Sequence, residues 1–122
     1  MAEAAAGFWD DAEIIHTYAR ADALRDGVLY DVSDLAKEAG FVVPVAVTAG
    51  VMAAVDANKG PGESEKGRLW DILNVLRFRC RGGGQRIDFQ VKIGGRIEYL
   101  YSLIGPGDNF EPVITILRVG ED

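Results

Sequence analysis

From Ile87 to Leu103 apolar and polar residues alternate on both sides of a Gly94-Gly95 pair. A period of two is the mark of a strand with one face buried, and glycines at the midpoint favour a tight reversal. Ile87, Phe89, Val91 and Ile93 alternate with Asp88, Gln90 and Lys92. Ile97, Tyr99, Tyr101 and Leu103 alternate with Glu98, Leu100 and Ser102. Register depends on the turn. A two-residue Gly94-Gly95 turn sets Val91 opposite Glu98. A three-residue loop, Gly94-Gly95-Arg96, sets Ile93 opposite Ile97, Val91 opposite Tyr99, Phe89 opposite Tyr101, and Lys92 opposite Glu98. The apolar pairing favours the three-residue loop. A further turn at Gly105-Pro106-Gly107-Asp108-Asn109 leads to a third strand, Pro112 to Val119, beginning at a proline as sheet edges allow.

The first half reads as helical. Ile14, Tyr18 and Ala21 predict a helix from about Ile14 to Arg25, stopped by Gly27. Val28 to Val32 alternates weakly and predicts a short strand. Ser33 is suited to an N-cap, with Asp34 favourable in the first turn and Gly40 closing that helix. Phe41 to Val43 is extended before Pro44. Pro44 can start a helix with Val47, Val51, Ala54 and Val55 buried, and a strand at Val45 to Val47 is the alternative. Glu65 to Cys80 is the strongest helix, with Leu69, Ile72, Leu73, Leu76 and Cys80 on one face. The expected architecture is α+β: three to four short helices packed on a three-stranded antiparallel meander at the C-terminal end. Residues 1–12 read as a loose arm that Phe8 and Trp9 pin down, and residues 13–122 as one domain. Asn58 to Gly67 is a mobile loop inside it.

The net charge is −6, and residues 1–60 carry ten acids against four Lys/Arg, whereas residues 61–122 carry nine of each. A surplus of acid disfavours non-specific binding to phosphate backbones, which rests on excess Lys and Arg. It suits a basic partner, or serves only solubility. No run of about 18 apolar residues suggests a membrane span, and the N-terminus lacks a signal peptide's basic and apolar regions. Cys80 is the single cysteine, which suits a cytoplasmic setting.

No stretch of the chain spells out a reaction. His16 is the single histidine, so a zinc site is not expected. Cys80 on an apolar helix face reads as core before it reads as nucleophile. Asp22, Asp26, Asp31 and Asp34 carry oxygen ligands for a hard cation but lack EF-hand spacing, and they suit turns and caps. The Gly105–Asn109 turn lacks the Lys-Ser/Thr end of a phosphate loop. Its Asp108, Asn109 and Phe110 are nevertheless suited to an interface. Arg77, Arg79, Arg81 and Arg86 form a basic cluster able to grip an anion or RNA, or simply to complement a helix C-terminus. Trp70, Phe78, Tyr99 and Tyr101 read as core, and any that is exposed becomes an anchor for a partner.

Tyr18 to Thr48 (YARADALRDGVLYDVSDLAKEAGFVVPVAVT), Gly67-Arg68-Leu69-Trp70-Asp71, and Ile104-Gly-Pro-Gly-Asp-Asn followed by Glu111-Pro-Val-Ile-Thr-Ile together resemble an uncharacterised family of small proteins of bacteria, plasmids and phages. The resemblance covers most of the chain from Tyr18 onward and carries no catalytic residues. It implies a mobile-element setting and cytoplasmic expression. Small acidic proteins of that setting often bind host machinery, anti-CRISPR inhibitors among them. The expectation is a non-catalytic interaction protein without cofactor. It would bind and inhibit a host protein complex through Asp10, Asp11, Asp22, Asp26, Asp31 and Asp34, with Asp108, Asn109 and Phe110 as further contacts. The alternatives are an RNA- or anion-binding module using Arg77 to Arg86, and a small enzyme. A homodimer is compatible with each.

Overall fold

In the computed structural model the described residues are 19–57, 59, 63–80 and 84–120. They form four helices and a five-stranded mixed sheet. The elements run α1 (Arg20–Arg25), β1 (Leu29–Asp31), α2 (Ser33–Glu38), β2 (Val45–Thr48), α3 (Ala49–Asp56), α4 (Glu65–Arg79), β3 (Arg86–Ile93), β4 (Arg96–Pro106) and β5 (Pro112–Arg118). The sheet order is β1-β2-β5-β4-β3. The expected α+β class holds, and so does the antiparallel β3-β4-β5 meander. Two further strands extend it, and β2 lies parallel to β5. Thus β5 is a central strand, although its leading proline suggested an edge. Pro112 sits opposite Pro106 at the very end of the ladder, where neither missing N–H interrupts the pairing.

Local chemistry explains most boundaries. Gly27 (φ +77°) ends α1 and Gly40 (φ +106°) ends α2. Val45 to Thr48 is a strand, not the start of a helix at Pro44. All four residues are buried between β1 and β5, where β-branched side chains fit best. The helix begins one step later, when the Thr48 hydroxyl accepts the Val51 N–H at 3.2 Å. Ser64 caps α4 by accepting the Gly67 N–H at 3.0 Å. Ser33 does not cap α2 as expected. Its backbone N–H and hydroxyl both donate to Asp31, and its Oγ accepts the Val45 N–H, so it ties β1 to β2. Of the predicted helix from Ile14 to Arg25 the described part is Arg20–Arg25, preceded by an extended Ala19. Its residues 14–18 lie outside the described residues, as do the arm of residues 1–12, Asn58 and residues 60–62 of the loop.

The hairpin contains the largest correction. Ile93 faces Arg96, Lys92 faces Ile97 and Val91 faces Glu98, so the turn has two residues. Gly94 (φ +58°) and Gly95 (φ +81°) both occupy the left-handed region that the tight hairpin turn requires. The one-residue slip from the expected register exchanges the two faces of β4. Leu100 and Ser102 therefore point with Phe89 and Val91 toward the helices, and Tyr99, Tyr101 and Leu103 lie on the outer face. Glu98, which the other register would have set against Lys92, instead pairs with Arg118 at 3.4 Å.

The core fills the space between the sheet and α2, α3 and α4. Val45, Val47, Leu100 and Ile116 from the sheet meet Val51, Val55, Ile72, Leu73 and Leu76 from the helices. Full burial of each such side chain is worth about 1.5–3 kcal/mol. Arg68 lies on the same helix row as Ile72 and Leu76 and is itself buried. Its guanidinium donates to the carbonyls of Val55 (2.8 Å) and Ala57 (2.5 Å) and to Glu63 (2.6 Å). It thereby satisfies the C-terminal carbonyls of α3 that no helical N–H can reach.

Candidate interaction surface

The loop between β4 and β5 is closed on itself. Gly107 N–H donates to the Glu111 carbonyl at 2.6 Å, Phe110 N–H donates to the Gly107 carbonyl at 3.1 Å, and Asn109 N–H donates to Glu111 Oε1 at 2.9 Å. A Cβ at Gly107 would lie 2.7 Å from the Glu111 carboxylate, so a side chain there would push that carboxylate aside. Asp108 points away from the loop to the first helix. Its two oxygens accept the N–H groups of Arg20 and Ala21, at 2.7 and 3.0 Å. The loop and α1 are thus held as one unit.

Phe110 stands at the tip of this unit. Its φ of +64° is unusual for a bulky residue, and its side chain is 88% exposed. A non-glycine residue in that region costs about 1–2 kcal/mol, and the large apolar ring gains nothing from burial. Nothing in the packing of the described core accounts for a phenylalanine at this position.

Carboxylates surround the unit. Arg20 donates to Thr115 Oγ1 and to the Ile114 carbonyl, both at 2.9 Å. Burial pulls its guanidinium below the ordinary arginine value, and the nearby charges of Asp31, Asp108 and Glu111 oppose that shift. Asp22 lies one residue beyond the capped N–H groups and pairs with Arg25 at 2.8 Å. The structure therefore brings Asp22, Asp31, Asp108, Asn109 and Phe110 to one region, and adds Arg20 and Glu111, which the sequence reading passed over. The signal for Glu111 is local: it stands two residues after Asn109, within reach of that residue's N–H.

The other expected residues separate. Asp26 lies at the C-terminus of α1 beside Arg25, at 3.6 Å. Asp34 lines an open groove with Lys37, Phe41 and Pro44. Asp10, Asp11, His16 and Arg81 lie outside the described residues. The arginines do not converge. Arg77 donates to the Gly40 carbonyl on the helical side of the sheet. Arg86 lies on the outer face, paired with Asp88 at 3.0 Å and stacked 3.9 Å from the centre of the Tyr101 ring. Arg79 ends α4.

Of the four aromatics expected in the core, Tyr101 is buried, while Trp70 (37%), Tyr99 (56%) and Phe78 (68%) are exposed. Cys80 is half-buried, and burial pushes its thiol up, outweighing the opposite pull of Arg77. That is the reverse of what an attacking thiolate needs. Among the described residues no three His, Cys, Asp or Glu side chains could together hold a metal ion. No helix of the described residues is long and apolar enough to cross a membrane.

Fold and surface together define a small α+β scaffold that presents a braced loop with an exposed aromatic side chain and carboxylates in and beside it. The chain belongs to a family of unknown function, DUF6573, which matches residues 5–122. No curated protein and no solved structure matches it.

Proposed function

We propose that the protein is a non-catalytic interaction protein whose contact surface is the Asp108–Glu111 loop with the adjoining α1 and β1 carboxylates. Phe110 is the anchor, and Asp22, Asp31, Asp108 and Glu111 form its rim. The observation that carries this reading is the strained, exposed Phe110 on a loop whose backbone is otherwise tied down. Aromatic anchors on stiff supports contribute most to protein interfaces, because little entropy is lost when they dock. The partner that fits is a protein with an apolar pocket inside a basic rim.

The finer reading is that this partner belongs to a host complex whose basic surface normally holds nucleic acid, and that occupying it inhibits the complex. The net charge of −6 supports that choice of partner, since opposite charge speeds encounter and selects basic surfaces. In this reading the protein works in the cytoplasm as an anti-defence product of a mobile element.

The test is affinity capture from host lysate, run in parallel with wild type, Phe110→Gly, and Asp31→Lys with Asp108→Asn. A partner retained by wild type, lost with Phe110→Gly and weakened by salt supports the proposal. A partner held equally by all three removes it. Affinity for RNA in a filter-binding titration, falling steeply with salt, would favour the arginine residues instead.

A further inference from the structure

Strand β3 is one edge of the sheet, and among the described residues its only strand partner is β4. The two-residue turn makes Ile93 and Arg96 a hydrogen-bonded pair, and the pairing then alternates along the ladder. Ile87, Phe89, Val91 and Ile93 therefore direct their backbone N–H and C=O groups toward β4. The bond from Ile104 N–H to the Gln85 carbonyl, at 3.0 Å, continues the same parity. Asp88, Gln90 and Lys92 direct theirs outward from the sheet. Their side chains are exposed on the outer face, while Phe89, Val91 and Ile93 are buried on the helical side.

An eight-residue edge whose outward backbone groups meet no other described strand invites one. A lysine on an edge ordinarily discourages such pairing, but the sequence of β3 is self-complementary. An antiparallel copy related by a two-fold axis at Gln90 sets Asp88 opposite Lys92 and Lys92 opposite Asp88 on the outer face. On the inner face it sets Phe89 opposite Val91 and Ile87 opposite Ile93. Asp88, Gln90 and Lys92 all present outward groups, so each of these pairs exchanges both backbone bonds. Neighbouring registers fail. A two-fold at Phe89 sets Arg86 against Lys92. A two-fold at Val91 leaves Asp88 against Gly94. A shift of odd length sets apolar side chains against polar ones.

We infer that the protein pairs with a second copy of itself through β3, antiparallel about Gln90, joining the two sheets edge to edge. The pairing is independent of the Phe110 loop, which contributes nothing to β3.

Sedimentation of the full chain over a range of concentrations tests this. Wild type is expected to dimerise as concentration rises. Asp88→Lys and Lys92→Asp each turn two cross-strand attractions into repulsions, and each should weaken the dimer about tenfold or more. Both side chains are exposed, so circular dichroism should show each variant folded. The double variant Asp88→Lys with Lys92→Asp restores opposite charges and should restore dimerisation. A wild type that stays monomeric at every concentration overturns the inference. So does a dimer indifferent to the single reversals, or one that the double variant fails to restore.

Discussion

Asp108 accepts the backbone N–H groups of Arg20 and Ala21 on its two carboxylate oxygens, at 2.7 and 3.0 Å, from the far end of the chain. A capping residue normally belongs to the helix it caps. Here the cap comes from a β-loop, so the start of α1 exists only when the sheet has formed. Asp108→Ala should lower stability by about 1–2 kcal/mol, as loss of an N-cap does elsewhere. Asp108→Asn, which keeps one acceptor oxygen but loses the charge and the second acceptor, should cost less. Chemical denaturation of both variants measures the difference, and equal losses would show that a single neutral oxygen does not hold the start of the helix.

Arg68 and Gly94 form a second long-range pair. A Cβ on Gly94 would lie 2.7 Å from Arg68 Nη2, and Gly94 also has positive φ. At Gly95 the φ is positive, but no atom lies within 4 Å of the added carbon. Gly94→Ala should therefore destabilise the protein more than Gly95→Ala, whose cost is the left-handed backbone alone, about 1–2 kcal/mol. Thermal melts of the two variants decide it.

Arg68→Met keeps the apolar stem but leaves the Val55 and Ala57 carbonyls and Glu63 without the guanidinium. Loss of a buried, charged donor should cost about 3 kcal/mol. Urea denaturation measures it. A loss below about 1 kcal/mol would mean that water replaces the guanidinium readily.

Phe110→Gly separates scaffold from surface. Glycine adopts φ of +64° without strain, so stability should hold or rise by about 1 kcal/mol. A fall in stability would show that the ring packs within the protein rather than against a partner.

Burial raises the thiol of Cys80, so its reaction with iodoacetamide should need higher pH than a free cysteine. The attacking species is the thiolate, and its fraction rises only as pH approaches the raised value. The rate should therefore reach half its maximum above the ordinary thiol range. A half-maximum at or below neutrality would reopen a catalytic role.

Local patterns were legible wherever neighbours in sequence are also neighbours in space. The alternation at Ile87 to Ile93, the apolar stripe of α4, and the stops at Gly27 and Gly40 are of this kind. The burial of Arg68 is not legible although it sits in the same stripe as Ile72 and Leu76, because a charged residue ordinarily faces solvent. The acidic residues of the first half do not form one surface. Asp31, Asp108 and Glu111 act on Arg20 and Asp22 pairs with Arg25 in the same helix, but Asp26 and Asp34 serve other turns and grooves.

By itself, then, the sequence determined most helices and strands, the segment Val45 to Thr48 excepted, and that the glycines near residue 94 reverse the chain. Tertiary structure decided the register of that hairpin, the central place of β5 beside β2, and the partner of Asp108. The physical reason is range. Periodicity and capping act over a few residues. The choice between two registers or two strand neighbours depends on which side chains fill a shared core, and on backbone donors such as those of Arg20 that distant segments bring within reach.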